Sequence, residues 1–200
     1  MHPAAPSQSD PGVTKAALRA EMRRRARLMT PAERDAASRK LCARLLADPG
    51  WERARRVGLF VPLPTEPDVQ GLRVAAEASG REVALPRWNS GRGSYEFALL
   101  AGEPPVTGQF GIAEPGPGCP AIAANQLDLI LVPGLAFTPD GRRLGRGRGF
   151  FDRLLADVAG GRIGVAFDWQ LVEELPTEAH DIRVDCVVTP GGRWPTANRG

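Results

Sequence analysis

The chain has 200 residues, of which 24% are charged, and a formal net charge of +3 at pH 7. This length suits one α/β domain with a sizeable core, whereas so small a charge does not by itself indicate a nucleic-acid-binding protein, and no stretch approaches the length of a membrane span. Three widely spaced cysteines without a CxxC pattern favour reduced thiols and a cytoplasmic location.

Two helices are predicted near the N-terminus. Residues 1–12 are expected to form a disordered tail, and Thr14 can cap a helix that runs to about residue 29. The sequence Thr30-Pro-Ala-Glu33 is a capping box with proline in the first turn, so it predicts a second helix that ends near Ala47.

Strands then alternate with helices along the rest of the chain. Strands are predicted at 57–61, 82–86, 95–99, 127–132, 162–167 and 184–189, with helices at 69–79 and 150–158. This order predicts a mostly parallel sheet with helices on both faces, formed by a single domain over 13–190 and followed by a tail over 191–200. Ligands of such sheets bind beyond the carboxyl ends of the strands, and the loops after Val61, Val132 and Phe167 leave such ends.

The loop before the last predicted helix is the most informative segment, because glycines alternate with arginines in it. Glycine permits a positive φ and a close approach to a ligand, and the guanidinium groups match phosphate oxygens. The residues are Arg143, Gly145, Arg146, Gly147, Arg148 and Gly149. Neither a Walker A motif nor a dinucleotide fingerprint is present, yet amides at a helix start together with arginines predict an anion site. A solvated arginine-rich loop is the alternative interpretation.

Two aspartates follow different strands and suit a magnesium ion. Mg²⁺ is usually held by one or two carboxylates together with phosphate oxygens, so Asp152 and Asp181 are candidate ligands. Taken singly, Asp152 can instead be a first-turn acid that the helix dipole favours, and Asp181 can be a turn residue.

Other candidates are scattered along the chain. Lys15 and Arg19 share one face of the first helix, where two cations repel unless an anion lies near, although a solvated basic face is the commoner arrangement. Glu66 lies in a proline-rich loop and can accept hydrogen bonds from a heterocycle, or simply be exposed. Phe110 can stack on an aromatic ligand or belong to the core, and His180 can be a general base or a turn residue.

Several separated motifs lie between residues 15 and 189. They are Lys15-Ala-Ala-Leu-Arg19, the loop that ends in Glu66, Phe110-Gly-Ile-Ala-Glu-Pro115, Pro133-Gly-Leu-Ala-Phe137, the glycine–arginine loop up to Arg153, Phe167-Asp-Trp-Gln170, Leu175-Pro-Thr-Glu178 and His180-Asp-Ile-Arg-Val-Asp185. Together they resemble the motifs of the 5-formyltetrahydrofolate cyclo-ligases, also called 5,10-methenyltetrahydrofolate synthetases.

The resemblance implies a three-layer αβα sandwich with a mostly parallel central sheet and an enzyme of one-carbon folate metabolism. Its reaction would be the ATP- and Mg²⁺-dependent cyclisation of 5-formyltetrahydrofolate to 5,10-methenyltetrahydrofolate, with release of ADP and phosphate. In the family mechanism the formyl oxygen attacks the γ-phosphate, and N10 then closes the ring. Such phosphoryl transfer needs positioning and charge neutralisation rather than a protein nucleophile.

The resemblance also assigns roles to residues of this chain. Arg146 and Arg148 would neutralise charge on the γ-phosphoryl oxygens, and Asp152 and Asp181 would hold Mg²⁺. The ATP-binding set would be Lys15, Arg19, Arg143, Leu144, Gly145, Arg146, Gly147, Arg148, Gly149, Phe150 and Phe151. The folate-binding set would be Val61, Glu66, Phe110, Arg146 and Phe150.

The chain departs from the family pattern where relatives often carry one or two tyrosines, because it has Phe150 and Phe151 and so lacks a phenolic hydroxyl there. The resemblance predicts a small-molecule substrate, a monomer, and neither membrane nor nucleic-acid partners. The alternative is a relative on the same fold that binds nucleotides or RNA without cyclo-ligase activity, supported by charge alone.

Overall fold

Helices and strands alternate along residues 14–178 and 181–196, the part of the chain that this computed structural model describes. The helices are α1 Lys15–Leu28, α2 Pro31–Leu46, α3 Pro49–Arg53, α4 Gln70–Ala78 and α5 Phe150–Leu155. The strands are β1 Arg56–Gly58, β2 Glu82–Asn89, β3 Ser94–Leu99, β4 Val106–Thr107, β5 Ala113–Glu114, β6 Ala121–Ile122, β7 Leu129–Pro133, β8 Ala136–Phe137, β9 Arg143–Leu144, β10 Gly161–Val165, β11 Cys186–Val188 and β12 Arg193–Pro195.

One eight-stranded sheet organises the fold, in the order β12-β11-β10-β7-β1-β2-β3-β6. The five central strands, from β11 to β2, run parallel. Both edges are antiparallel, with β12 on one side and β3 followed by β6 on the other. The predicted α/β fold with a mostly parallel sheet is therefore confirmed, and two small ribbons, β4–β5 and β8–β9, are added to it.

The N-terminal helices begin where their capping residues place them. The Thr14 hydroxyl accepts a hydrogen bond from the amide of Ala17, and α1 follows directly. In α2 the Thr30 side chain accepts from the amide of Glu33 while the Glu33 carboxylate accepts from the amide of Thr30, which is a complete capping box. Both predicted helices are confirmed.

The alternation of side chains along β7 divides the core into two layers. Leu129 and Leu131 pack in the cluster that contains Leu41 of α2 and Leu72 of α4. The next residues in the strand belong to the opposite cluster, which contains Leu155 of α5. Helices therefore cover both faces of the sheet, as expected for three layers.

Several predicted boundaries were wrong, and local contacts explain why. The first strand is shorter than predicted: the Leu59 amide still donates to the carbonyl of Ala84 in β2, and the chain then turns toward the proline-rich loop that carries Glu66. Helix α5 ends at Leu155, whose carbonyl accepts a hydrogen bond from Arg162. Three residues of the expected C-terminal tail, 193–195, pair with β11 as an antiparallel edge strand.

The structure also describes the state of the cysteines and the length of the helices. All three cysteines are free thiols, and burial raises the pKa of both Cys42 and Cys186 to about 11. Among the described residues, no helix is both long and apolar enough to cross a membrane.

Replacing Gly164 of β10 by alanine is expected to destabilise the fold by about 1–3 kcal/mol, because the added methyl group overpacks the core and displaces neighbouring side chains. A Cβ at this position would lie 2.6 Å from Cε1 of Phe137, which is fully buried. Urea unfolding measures the loss. The matched control is Gly71→Ala in α4, where a Cβ meets nothing within 4 Å and helix propensity favours alanine. Equal stability of the two variants would contradict this account.

Candidate functional site

A cavity of about 490 Å³ opens where the parallel strands β1 and β7 end. It lies at the carboxyl end of the sheet, where the strand order predicts a ligand crevice. Most of the predicted site residues line it: Val61, Glu66, Phe110, Arg143, Gly145, Arg146, Arg148, Gly149, Phe150, Phe151 and Asp152.

The remaining predicted residues lie outside the cavity wall. Leu144 is 1% exposed and packs in the core beneath α1, so its side chain is not available to a ligand there. Gly147 faces the Arg19 guanidinium of α1. Lys15 and Asp181 contact each other, and His180 lies outside the described residues.

The glycines of the loop serve different purposes. Gly147 and Gly149 have φ values of 103° and 63°, which L side chains rarely adopt, so the positive φ predicted for them is confirmed. The same prediction for Gly145 was wrong. A Cβ on Gly145 would lie 3.2 Å from Nη1 of Arg143, so this glycine leaves room for a guanidinium instead.

Arg143 is turned into the protein and not toward open solvent. Its side chain is 3% exposed, and its Nη2 donates to Oδ1 of Asp152 at 2.5 Å. Its Nη1 donates to the carbonyl of Pro133 at the end of β7, and the guanidinium carbon lies 6.0 Å from the centre of the Phe151 ring. Arg143 therefore ties the loop, α5 and the central strand together.

Arg146 joins the loop to the proline-rich segment after β1. Its Nε and Nη2 donate to Oε1 of Glu66 at 2.9 and 2.7 Å, and Oε2 of Glu66 accepts from the amide of Leu63. The Glu66 side chain is only 8% exposed, whereas that of Arg146 is 37% exposed. A buried carboxylate thus holds a guanidinium that remains accessible from the cavity.

Helix α1 is fastened to the loop by its basic face. Arg19 donates to the carbonyl of Gly145 at 3.0 Å, and Arg23 donates to the carbonyl of Arg146 at 3.2 Å. Nζ of Lys15 lies 2.7 Å from Oδ2 of Asp181 and 3.1 Å from Oε2 of Glu178. Burial disfavours the charged ammonium, but the hydrogen bonds to these two carboxylates outweigh it and raise the pKa of Lys15. Two carboxylates of the protein thus lie beside Lys15, and its predicted contact with ATP stays a prediction.

The two candidate magnesium ligands suit that ion in donor chemistry. Asp152 lines the cavity with a side chain that is 20% exposed, and Asp181 approaches the start of α1. The described residues contain no group of three acidic, histidine or cysteine side chains that could hold a metal ion alone. Mg²⁺ does not require one, since phosphate and water oxygens commonly complete its shell.

Four aromatic rings pack against one another beside the cavity, and those of Tyr95, Phe110 and Phe150 line it. Phe110 and Phe150 were predicted as ligand-facing residues, and their ring centres lie 6.0 Å apart. Trp88 and Tyr95 complete this aromatic cluster, with ring centres 5.3 Å from each other and 5.5 and 5.2 Å from that of Phe150. The Arg148 guanidinium lies 5.4 Å from the centre of the Phe110 ring, within the range of a cation–π contact.

The sequence did not identify Trp88 and Tyr95 as candidate site residues. They are direct partners across the antiparallel pair β2–β3. The alternation of the segment at 95–99 predicts which residues share a face, but it does not predict that β2 extends far enough to place Trp88 opposite Tyr95.

The chain resembles characterised proteins over nearly its whole length. A family model described as the 5-formyltetrahydrofolate cyclo-ligase family matches residues 11–190. The 5-formyltetrahydrofolate cyclo-ligase of Mus musculus is 28% identical, with 87% of this chain and 92% of that protein covered. The protein of the same name from Escherichia coli K12 is 31% identical, with 86% and 98% covered.

A solved structure gives the same picture. The NMR structure of Aquifex aeolicus 5,10-methenyltetrahydrofolate synthetase superposes with a TM-score of 0.84 at 31% identity, covering 93% of this chain and 94% of that one. The sequence comparisons and the structural comparison therefore indicate the same family.

Proposed function

The chain belongs to the 5-formyltetrahydrofolate cyclo-ligase family, and from this premise we propose that it converts 5-formyltetrahydrofolate to 5,10-methenyltetrahydrofolate with ATP and Mg²⁺. ADP and phosphate are the other products. The observation that best supports the proposal is that one cavity is lined both by loop arginines and by the aromatic residues Tyr95, Phe110 and Phe150. A phosphorylated nucleotide and a reduced folate can therefore meet there.

In this proposal the reacting groups meet beside Arg146. The formyl oxygen takes the γ-phosphoryl group, and N10 then closes the ring as phosphate leaves. Arg146 and Arg148 neutralise charge on the transferring oxygens, which is the main task of a protein in phosphoryl transfer. Glu66 holds the Arg146 guanidinium in place, so the charge is positioned before the substrates bind.

Binding roles follow the same division. Lys15, Arg19 and the loop over 143–151 are proposed to bind ATP, and Val61, Glu66, Phe110 and Phe150 are proposed to line the folate part of the cavity. Asp152 and Asp181 would hold Mg²⁺, which when bound neutralises phosphate charge. Leu144 can contribute only its backbone, because its side chain is buried.

The placement of the arginines argues against the RNA-binding alternative. Arg143 and Arg146 line the cavity and Arg19 donates to a loop carbonyl, so these residues do not form an extended exposed surface for a nucleic-acid backbone. The free thiols support a reducing compartment such as the cytoplasm. The monomeric state stays a prediction.

The direct test is the appearance of methenyl absorbance when the protein is mixed with 5-formyltetrahydrofolate, ATP and Mg²⁺. We expect product only when all three are present, and one ADP for each product molecule. Absence of product at high enzyme concentration would refute the proposed function.

Replacing Asp152 by asparagine is expected to lower turnover by about 10²-fold or more, because a metal ligand and its charge stabilisation are lost. The variant should also weaken the Mg²⁺ dependence of ADP binding, which calorimetry measures without catalysis. Asp140→Asn is the matched control, since Asp140 pairs with Arg142 and Arg183 rather than with a cavity arginine. Unchanged Mg²⁺ dependence in Asp152→Asn would remove Asp152 from the metal site.

A further inference from the structure

A third carboxylate, that of Glu114 on β5, lies in the cavity wall with those of Glu66 and Asp152. The residue is 4% exposed, and its Oε2 accepts a hydrogen bond from the amide of Trp88 at 2.9 Å. Its Oε1 is buried and makes no well-formed hydrogen bond with the described residues, although the Tyr95 phenol lies close enough to interact with the carboxylate. Leaving a buried charged oxygen without a well-formed hydrogen bond is costly, so a ligand that donates one there recovers free energy on binding.

Aromatic residues surround Glu114. Trp88, whose amide donates to the carboxylate, and Tyr95 belong to the aromatic cluster, and Tyr95 lines the cavity beside Glu114. The pKa of Tyr95 is raised to about 12, mainly by burial. The negative charge of Glu114 and the hydrogen-bonding interaction of its carboxylate with the phenol also raise it. Tyr95 therefore remains a neutral phenol at physiological pH. One wall of the cavity thus combines aromatic faces with a carboxylate.

The other acidic residues of the cavity are already engaged. Both oxygens of Glu66 accept hydrogen bonds, from Arg146 and from the amide of Leu63. Asp152 is paired with Arg143. By contrast, no ion pair with Glu114 occurs within the described part of the chain. Glu114 is thus the cavity carboxylate most in need of a donor from a ligand.

We propose that Glu114 accepts hydrogen bonds from the amino-pyrimidine edge of the pterin ring and so contributes to substrate specificity. The inference rests on the proposed function, because it takes the reduced folate as the ligand. The ring N–H and the neighbouring exocyclic amino group of that edge are adjacent donors, which a carboxylate can accept together. Oε1 makes no well-formed hydrogen bond, and Oε2 keeps a second lone pair beside the one that accepts from the Trp88 amide.

The first test is Glu114→Gln, with equilibrium binding of 5-formyltetrahydrofolate measured by calorimetry without ATP. Glutamine keeps the shape and an acceptor for Trp88, but it replaces one acceptor by a donor. We expect Kd to rise by about 10–100-fold, KM for the folate to rise with it, and KM for ATP and kcat to stay within about threefold. Folate binding equal to that of the wild type would overturn the proposal.

Two further variants separate binding from structural damage. Glu96→Gln makes the same exchange on β3, at a carboxylate that pairs with Arg87 outside the cavity wall, and should leave the folate Kd unchanged. Gly108→Ala would place a Cβ 2.2 Å from Cδ of Glu114, so it displaces the carboxylate without altering charge. It should weaken folate binding as Glu114→Gln does. Equal losses in Glu96→Gln and Glu114→Gln would instead show a general structural effect.

An analogue tests the direct contact. We expect the wild type to bind the 2-desamino-2-methyl analogue of 5-formyltetrahydrofolate about 10–100-fold more weakly than the parent, because a donor is missing. Glu114→Gln should lose most of that discrimination. Undiminished discrimination in the variant would refute the assignment to this edge. A wild type without any turnover would refute the proposed function itself, whereas an active wild type with an indifferent Glu114→Gln refutes only this inference.

Discussion

Replacing Arg146 by methionine is expected to lower kcat for methenyl formation by about 10²–10³-fold, the usual effect of removing a positioned group that stabilises transition-state charge. Arg146 combines a guanidinium accessible from the cavity with a rigid hold by Glu66, whose side chain is 8% exposed. Methionine keeps much of the length but has no charge and no donors. Steady-state measurement of product absorbance at saturating ATP and folate gives the change in kcat.

Two variants define what Arg146 contributes. Arg146→Lys restores the charge without the planar fork that meets Oε1 through two nitrogens, so its kcat should lie between those of the wild type and Arg146→Met. Arg142→Met is the matched control, because Arg142 pairs with Asp140 away from the cavity wall. A kcat for Arg146→Met within about threefold of the wild type would exclude Arg146 from the chemistry.

Replacing Arg143 by methionine is expected to destabilise the protein by about 2–4 kcal/mol, because a buried guanidinium loses its hydrogen bonds and the partly exposed Asp152 carboxylate loses its partner. The Arg143 side chain is 3% exposed and also donates to the carbonyl of Pro133. For a chain of this length, such a loss corresponds to a decrease in Tm of roughly 10 °C. Thermal unfolding followed by circular dichroism measures it.

The double variant Arg143→Met/Asp152→Asn supplies the decisive comparison. Removing both charges should recover part of the lost stability, because no unpaired buried charge remains. Arg39→Met, in an exposed ion pair with Asp35, should change stability by less than about 1 kcal/mol. If Arg143→Met were as stable as Arg39→Met, the buried pair would have no structural role.

Local signals explain which parts of the fold could be predicted. The caps at Thr14 and Thr30 satisfy helix amides within three residues of themselves, so the sequence alone indicates where α1 and α2 begin. The strand β7 is an unbroken apolar run because both of its faces are covered. The glycine–arginine loop follows it and forms much of the cavity wall.

Features that depend on distant partners could not be predicted. Asp152 lies only nine residues after Arg143, but no sequence pattern shows that the guanidinium turns inward toward it, since this depends on the path of the loop between β9 and α5. The same holds for Glu114, whose hydrogen bond comes from Trp88, 26 residues away. The roles of the site residues taken from the resemblance stay predictions until the variants are measured.

The contact between Lys15 and Asp181 has a consequence for biosynthesis. The two residues are 166 positions apart, and the loop that α1 contacts lies more than a hundred residues downstream of it. Contacts between distant parts of a chain form late, because the loop-closure entropy must be overcome first. A ribosome-bound chain can fold α1 early, but the site cannot assemble until almost the entire protein has left the exit tunnel. Chains released prematurely would therefore be inactive even where much of the sheet has formed.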